Sequence, residues 1–252
     1  FIRQAIAEYE ACLSSWHGGN MRNAIPRQAE VVLTIPADNL NALKALASDY
    51  LELFKKEYAG IESDFILTVE DTEMPQGIVP EEIQDNLVDA IYAARNGVER
   101  FIPETPSIVE SSSNFAIVDI KNGMAKFKIL VRSSSESMKQ YVAISLESCF
   151  SMAGMKVEFT GDYEAWQPDF SSPIVALMKN VYKNLFGEEP LVQVVHAGLE
   201  CGIIGVKYPQ MDMVSFGPTL SSPHTPNERC YIPSVGKYYK FVLATLEQIP
   251  VK

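Results

Sequence analysis

His224 is the residue whose surroundings most suggest metal chemistry. It lies between Pro223 and Pro226 in the loop GPTLSSPHTPNE, residues 217–228. The loop follows a predicted strand, and ligands of α/β proteins bind where strands end. Imidazole is the side chain that most often binds metal ions in proteins. His224 is therefore a candidate metal ligand, although the residues alone leave open an ordinary histidine in a surface loop.

The stretch VHAGLECG, residues 195–202, is a candidate for backbone contact with a bound molecule. A strand is predicted to end at Val195, and Gly198 then leads into a short helix. Glycine lets a backbone approach a ligand closely, and the free amides of a helix N-terminus attract anions. An ordinary strand-to-helix turn would have the same sequence, so that alternative stays open.

Two further residues could bind carboxylate or carbonyl oxygens. Arg132 ends the apolar strand KFKILVR and precedes three serines. A guanidinium at a strand end can hold a carboxylate through two parallel hydrogen bonds, or it can simply be solvated. Asn23 lies in the loop GGNMRNAIP, residues 18–26, where its amide could donate to a developing oxyanion. A tight turn explains the same loop without any catalytic role.

The composition excludes several classes of protein. The chain has 252 residues, of which 47% are hydrophobic, enough for one large domain or two ordinary ones. A formal net charge of -11 repels phosphate backbones, so no nucleic acid partner is expected. No apolar run reaches the roughly 18 residues that span a bilayer, and no membrane association is expected. The four cysteines form no CxxC pair and no signal peptide is visible, which favours a reducing, cytoplasmic location.

The first residues suggest a chain that continues a longer one. The stretch FIRQAIAEYEACL is amphipathic, and its helical pattern is already under way at Phe1. The first residue is not Met, and no capping residue precedes the pattern. We therefore expect that Phe1 lies in the middle of a longer natural protein.

Residues 1–163 predict an α/β fold, a duplicated two-layer sandwich with an antiparallel sheet. Apolar alternation predicts the strands, helical spacing predicts the helices, and Asn122 with Gly123 marks a hairpin turn. The first copy is strand 28–35, helix 38–59 with Asp38 as N-cap, and strand 64–70. The second copy is a hairpin of 114–120 and 124–132, helix 134–153, and strand 155–161. A long helix over 80–101 connects the two copies.

Residues 164–252 change to an alternation of helices and strands. Helices are predicted over 172–186, 199–206 and 233–248, and strands over 190–195 and 212–216. Such alternation is typical of a parallel sheet, but two or three strands are too few for a stable one. The region is therefore predicted to be an incomplete part of a parallel-sheet domain, with its remaining strands supplied from elsewhere.

Several of these stretches occur together, in the same order, in one family. GGNMRNAIPRQA, the strand ending in Arg132, Tyr163-x-x-Trp166-x-Pro168, HAGLECG and SFGPTLSSPHTPNE resemble the aminoacyl-histidine dipeptidases, zinc exopeptidases related to carnosinase and the aminoacylases. The resemblance covers nearly the whole chain. It implies that residues 1–163 are a lid and dimerisation domain and that residues 164–252 are the C-terminal part of a catalytic domain.

The resemblance also implies a role for each candidate residue. His224 would be a zinc ligand, Asn23 would hold the scissile carbonyl and its oxyanion, and Arg132 would bind the substrate carboxylate. Gly198 would offer backbone contact, and Glu200 would lie near the amino end of the substrate. The implied reaction is hydrolysis of Xaa-His dipeptides by a metal-activated water, with two zinc ions per subunit. The implied assembly is a homodimer formed through the lid.

Other parts of that machinery are missing from the sequence. The family's His-x-Asp motif does not occur, the pairs Glu81–Glu82 and Glu188–Glu189 do not resemble its catalytic Glu-Glu pair, and His17 is interpreted as structural. A single ligand cannot hold zinc, which needs three or four. This chain alone is therefore expected to be inactive and to lack tightly bound zinc. The alternative function is a non-catalytic module for dimerisation or small-molecule binding.

Overall fold

The computed structural model describes residues 1–62, 64–103, 105–167, 169, 171–194, 199–223 and 227–250. The chain divides into two compact units. Unit 1 comprises Phe1–Phe101, Ser111–Arg132 and Ser137–Thr160, and unit 2 comprises Ile102–Glu110, Ser133–Glu136 and Gly161–Lys252. Among the described residues, no helix is both long enough and apolar enough to cross a lipid bilayer.

The first 160 residues combine helices with an antiparallel sheet, which confirms the predicted fold class. In chain order the elements are α1 Ile2–Tyr9, β1 Cys12–Gly18, β2 Ala29–Thr34, α2 Leu40–Glu57, α3 Glu81–Ala93, β3 Gly97–Ile102, β4 Thr105–Lys121, β5 Met124–Ser133 and α4 Glu136–Met152. The strand order is β2-β1-β4-β3, and β5 also pairs with β4. Strand β1 runs antiparallel to both β2 and β4.

The hairpin predicted around Asn122 and Gly123 is present. These two residues separate β4 from β5, and their φ angles are 53° and 72°. Positive φ at both positions defines a type I′ turn, whose twist matches that of the strands it joins. Asparagine and glycine are the residues that adopt this conformation with the least strain. The turn therefore fixes where each residue of β5 lies along β4.

Helix α4 covers one side of this hairpin. Its residues Val142, Leu146 and Phe150 are buried, and the cluster they form with Ala90 of α3 packs against side chains of β4 and β5. The ring of Phe150 contacts those of Phe115 and Phe127, with centroids 5.8 and 5.4 Å away. Burial of these aromatic and aliphatic groups stabilises the layer of helices on the sheet.

A second cluster joins the two halves of the sheet. Leu13 of β1, Leu87 of α3 and Ile120 of β4 are buried together. The pairing of β1 with β2 is irregular between Leu13 and Ser15, which disturbs the ladder there. The buried side chain of Gln84 accepts a hydrogen bond from the Leu13 backbone N–H at 2.5 Å. This contact satisfies a buried donor and ties α3 to β1.

The last strand predicted in each copy is wrong. Segments 64–70 and 155–161 belong to no strand. Val69 and Val157 nevertheless pack against buried clusters. Their apolar pattern reflects burial, but a strand also needs a neighbouring backbone to pair with. What recurs instead is the order helix, antiparallel strands, helix, first as α1-β1-β2-α2 and then as α3-β3-β4-β5-α4.

Two helix boundaries also differ from the prediction. The connecting helix expected over 80–101 ends at Ala93, and Gly97 starts β3 with a φ of 103°, a conformation that favours glycine. Asp38 is not an N-cap, because it lies inside a 3-10 turn over Ala37–Asn39. Asn39 precedes α2, and its side-chain amide donates to the Tyr9 carbonyl at 3.0 Å instead of capping the helix.

The remaining residues form the helices that the sequence predicts. The elements are α5 Pro173–Phe186, α6 Glu200–Lys207, β6 Leu220–Ser221, β7 Arg229–Cys230 and α7 Ile232–Gln248. The Ser172 hydroxyl caps α5 by accepting a hydrogen bond from the Val175 N–H. The ring of Tyr182 in α5 contacts that of Phe241 in α7, and the ring of Phe216 also packs on Phe241.

The strands predicted over 190–195 and 212–216 are wrong for their described residues. No residue of 190–194 or 212–216 belongs to a strand. Leu191 is 81% exposed and Val192 is 53% exposed, so described residues do not bury this apolar run. Parallel strands form only as part of a sheet whose neighbours pair with them and cover them. The described strands β6 and β7 pair with each other in the antiparallel direction.

Candidate functional site

Asn23 lies in the connection between β1 and β2, which we call the asparagine loop, residues 19–28. The loop is closed at its base by a hydrogen bond from Gly19 N to the Gln28 carbonyl at 3.3 Å. A tighter turn within it places Ala24 N 3.3 Å from the Met21 carbonyl. Asn23 is exposed at the tip of this turn. Its amide is therefore available to a ligand, as the predicted role requires.

The asparagine loop is attached to β4 by the side chain of Asn114. The Nδ2 atom of Asn114 donates to the Ala24 carbonyl at 2.9 Å and to the Arg22 carbonyl at 3.3 Å. These two carbonyls flank Asn23 in the chain. A loop that is otherwise exposed is thereby held by a side chain from a strand of the sheet.

A second attachment lies at Gly19, where the backbone of the loop approaches β4 closely. Gly19 has a φ of 71°, and a Cβ placed on it would come within 1.9 Å of the Ala116 carbonyl oxygen. No side chain fits at that distance, because the obstacle is backbone rather than a mobile side chain. The close approach therefore depends on glycine at this position.

Arg132 is the penultimate residue of β5 and is partly buried. Its neighbours Ile129 and Val131 pack against the core cluster of α4. Because successive side chains of a strand point to opposite faces, Arg132 lies on the face away from that cluster, together with Lys126 and Lys128. Arg132 is thus at the end of a strand beside β4, the strand that holds the asparagine loop.

His17 has a structural partner, in agreement with its interpretation from the sequence. Its Nδ1 atom lies 3.4 Å from Asp119 Oδ1, across the paired strands β1 and β4. Lys121 Nζ lies 3.1 Å from the other oxygen of the same carboxylate. The hydrogen bond from Lys121, supported by that from His17, holds the pKa of Asp119 below its usual range. The carboxylate therefore stays ionised at neutral pH, where it pairs with the Lys121 ammonium and accepts a hydrogen bond from His17.

Glu200 is the first residue of α6 and is exposed. A carboxylate in the first turn of a helix is favoured by the helix dipole, which is a structural reason for its presence. A Cβ on Gly202, two residues after Glu200, would lie 2.5 Å from the Glu164 carbonyl oxygen, so α6 packs closely on that segment. Burial, with a smaller effect from Glu200, raises the pKa of the Cys201 thiol, which is therefore protonated and poorly nucleophilic at neutral pH.

Two predicted site residues, Gly198 and His224, lie outside the described residues. Within the part of the chain that is described, no group of three or more His, Cys, Asp or Glu side chains could hold a metal ion. Zinc in proteins takes three or four protein ligands. The described residues therefore do not themselves fit a zinc site, and we assign no catalytic step to a metal held by them.

Residues 35–248 match the family model described as "Peptidase family M20/M25/M40". The chain belongs to this peptidase family. A relative, the cytosol non-specific dipeptidase of Escherichia coli (strain K12), is 36% identical over 252 residues, which cover all of this chain and 52% of the relative. The chain is also similar in structure to an aminoacylhistidine dipeptidase from Vibrio alginolyticus. That comparison has a TM-score of 0.92 and 36% identity, and it covers all of this chain and 51% of the other.

The resemblance to dipeptidases of this family is therefore confirmed. The chain spans about half the length of the relatives it matches. Peptidases of this family are generally metal-dependent. In unit 1, the fold brings the loop of Asn23 and the strand of Arg132 to adjacent parts of one sheet, while Glu200 belongs to unit 2.

Sequence reasoning missed Asn114, which organises the loop of Asn23. The sequence does contain a hint, since an amide residue precedes the apolar run FAIV in the middle of a long strand. Amides in strand interiors are unusual unless their hydrogen-bonding groups find partners. The partners of Asn114, however, are loop residues 90 and 92 positions away in the sequence, and no local pattern specifies such a contact.

Gly19→Ala should destabilise the protein more than Gly60→Ala. Both glycines have positive φ, but nothing lies within 4 Å of a Cβ at Gly60. We expect Gly60→Ala to cost about 1 kcal/mol from backbone strain alone. Gly19→Ala should cost a further 1–3 kcal/mol or so, because the loop must move off the Ala116 carbonyl. Urea unfolding followed by circular dichroism measures both, and equal losses would contradict the close approach.

Proposed function

We propose that this chain forms part of a metal-dependent dipeptidase that hydrolyses Xaa-His dipeptides, and that it contributes residues that bind the substrate. The observation that carries the proposal is the similarity of the whole chain, at 36% identity and a TM-score of 0.92, to an aminoacylhistidine dipeptidase. The family match over residues 35–248 supports the same class of reaction. We assign residues 1–163 to a lid and dimerisation domain and residues 164–252 to part of the catalytic domain.

Arg132 would bind the C-terminal carboxylate of the dipeptide. Its guanidinium provides donors in a planar fork that matches the two oxygens of a carboxylate. Its position at the end of β5, on the face away from the core cluster, supports this role. Recognition of a free C-terminal carboxylate would restrict the enzyme to short substrates, since a longer peptide continues past that point.

Asn23 would donate a hydrogen bond to the scissile carbonyl oxygen. A donor at that place is worth most when negative charge develops on the oxygen in the transition state. The exposed, anchored position of Asn23 supports this role.

Gly198 would contribute backbone contacts, and Glu200 would lie near the amino end of the dipeptide. A cytoplasmic location is part of the proposal, and it is supported by the word cytosol in the name of the Escherichia coli relative.

Arg132→Ala should raise KM and lower kcat for an Xaa-His dipeptide, with kcat/KM falling roughly 30- to 150-fold, or about 2–3 kcal/mol. The comparison substrate is the same dipeptide with a C-terminal amide, which lacks the carboxylate. The original enzyme should prefer the free acid, and Arg132→Ala should lose most of that preference. Lys128→Ala is the matched control, because it removes a cation from the same face of β5 and should change kcat/KM less than twofold. An undiminished preference in Arg132→Ala would refute the assignment.

The metal is proposed to be zinc, about two ions per subunit of the active enzyme, with His224 as one ligand. Because His224 alone cannot hold the ion, residues 1–252 by themselves should bind zinc weakly or not at all. In the active enzyme, His224→Ala should lower the bound zinc by one ion and abolish turnover while leaving the circular dichroism spectrum unchanged. Isothermal calorimetry and metal analysis measure these quantities. Tight stoichiometric zinc binding by residues 1–252 would mean that the ligand set is different.

The active protein is also proposed to be a homodimer formed through residues 1–163. Strand β2 ends the strand order of the sheet, and an unpaired strand edge can be covered by a second subunit. Sedimentation velocity of the active protein over a range of concentrations should give a species of twice its monomer mass. A monomer at the highest concentration would count against this assembly.

A further inference from the structure

We propose that Asn114 is a positioning residue: its side-chain amide holds the asparagine loop so that Asn23 presents its own amide in one orientation. The catalytic consequence of this inference rests on the function proposed above for Asn23. The attachment of the loop does not, because it depends only on contacts within unit 1. The attachment of the loop by Asn114 can therefore be tested without measuring hydrolysis.

The hydrogen bonds of Asn114 are made to the residues immediately before and after Asn23. One nitrogen of Asn114 donates to two carbonyls, that of Ala24 at 2.9 Å and that of Arg22 at 3.3 Å. The Arg22 carbonyl shares a planar peptide unit with the N and Cα atoms of Asn23, so the hydrogen bond to it holds that unit in place. The hydrogen bond to the Ala24 carbonyl holds the chain one residue beyond Asn23, and together the two bonds restrict the backbone rotations that aim the Asn23 side chain.

The chemistry of the contact requires a primary amide. A carboxamide nitrogen has two N–H groups, so it can serve two carbonyl acceptors at once. The opposite orientation of the amide would place Oδ1 against both carbonyls, which is repulsive, so the network itself fixes the orientation. A serine hydroxyl donates one hydrogen bond, and an aspartate carboxylate donates none. Replacement by either residue would therefore lose part or all of the attachment.

Asn114 can act as an anchor because its own strand is held on both sides of it. The Ser113 hydroxyl donates to the Arg95 carbonyl at 2.8 Å, and the Phe115 N–H donates to Asn96 Oδ1 at 2.8 Å. Phe115 also packs against Phe127 and Phe150 in the core cluster of α4. The loop is thus attached to a strand segment that is itself fixed, which is what precise placement of a functional side chain needs.

The first test is hydrogen exchange of the loop in the chain as it stands. In Asn114→Ala and Asn114→Asp, backbone amides of residues 20–25 should exchange roughly tenfold faster than in the original protein, while those of α4 keep their protection. Asn39→Ala is the matched control, since it removes an asparagine side-chain hydrogen bond to a main-chain carbonyl of the same unit, that of Tyr9, but none to the loop. Unchanged loop exchange in both Asn114 variants, or equal acceleration in Asn39→Ala, would overturn the inference.

The second test is a kinetic cycle on the dipeptidase. Asn114→Ala should lower kcat about tenfold with KM within twofold, because a misaimed oxyanion donor weakens only transition-state binding. If Asn114 acts through Asn23, the double variant should be no slower than Asn23→Ala alone. Losses that multiply independently would refute positioning. If the original enzyme hydrolyses no dipeptide, the proposed function fails, and the exchange experiment still decides whether Asn114 positions the loop.

Discussion

The pairing of β1 with β4 is the contact on which the first unit depends. Residues 16–18 pair with residues 118–120, and this ladder joins the two helix–strand–helix repeats into a single sheet. The same direction along β4 leads from this ladder to Ala116, which Gly19 approaches, and then to Asn114, which binds the loop. The register of β1 on β4 therefore determines where the asparagine loop lies along β4. Any slip of β1 along β4 would move the proposed oxyanion donor with it.

The second unit is organised by a different principle, because in the described part of residues 161–252 the strands are limited to the two-residue pair β6 and β7. Helix α5 has a serine cap, and aromatic contacts connect it to α7. The apolar segments between the helices lack such support, and Leu191 is largely exposed. Helices satisfy their backbone hydrogen bonds internally, whereas strands depend on neighbours for theirs. This difference explains why the helices predicted in this unit form, whereas the described parts of equally apolar segments that were predicted as strands do not form strands.

The same difference explains how much of the fold could be predicted. Helices α4, α5 and α7 and the Asn122–Gly123 hairpin were predictable, since their determinants are local. The strands expected over 64–70, 155–161, 190–195 and 212–216 are absent from the described residues of those ranges. Their apolar patterns could not reveal this, because strand pairing depends on segments that are distant in the sequence. The candidate site divides in the same way. Asn23 and Arg132 could be named from their motifs, whereas Asn114 acts through a contact between residues ninety positions apart, which no spacing rule contains.

The attachment by Asn114 has a consequence for how this loop can vary. Asn114 binds main-chain oxygens, so the side chains on the loop contribute nothing to the anchor itself. Met21 is 54% exposed and Ile25 is 82% exposed, and both point into solvent around the fixed turn. Their chemistry can change without moving Asn23. The loop thus combines a backbone whose position is fixed by Asn114 with exposed side chains that surface substitutions can change independently of it.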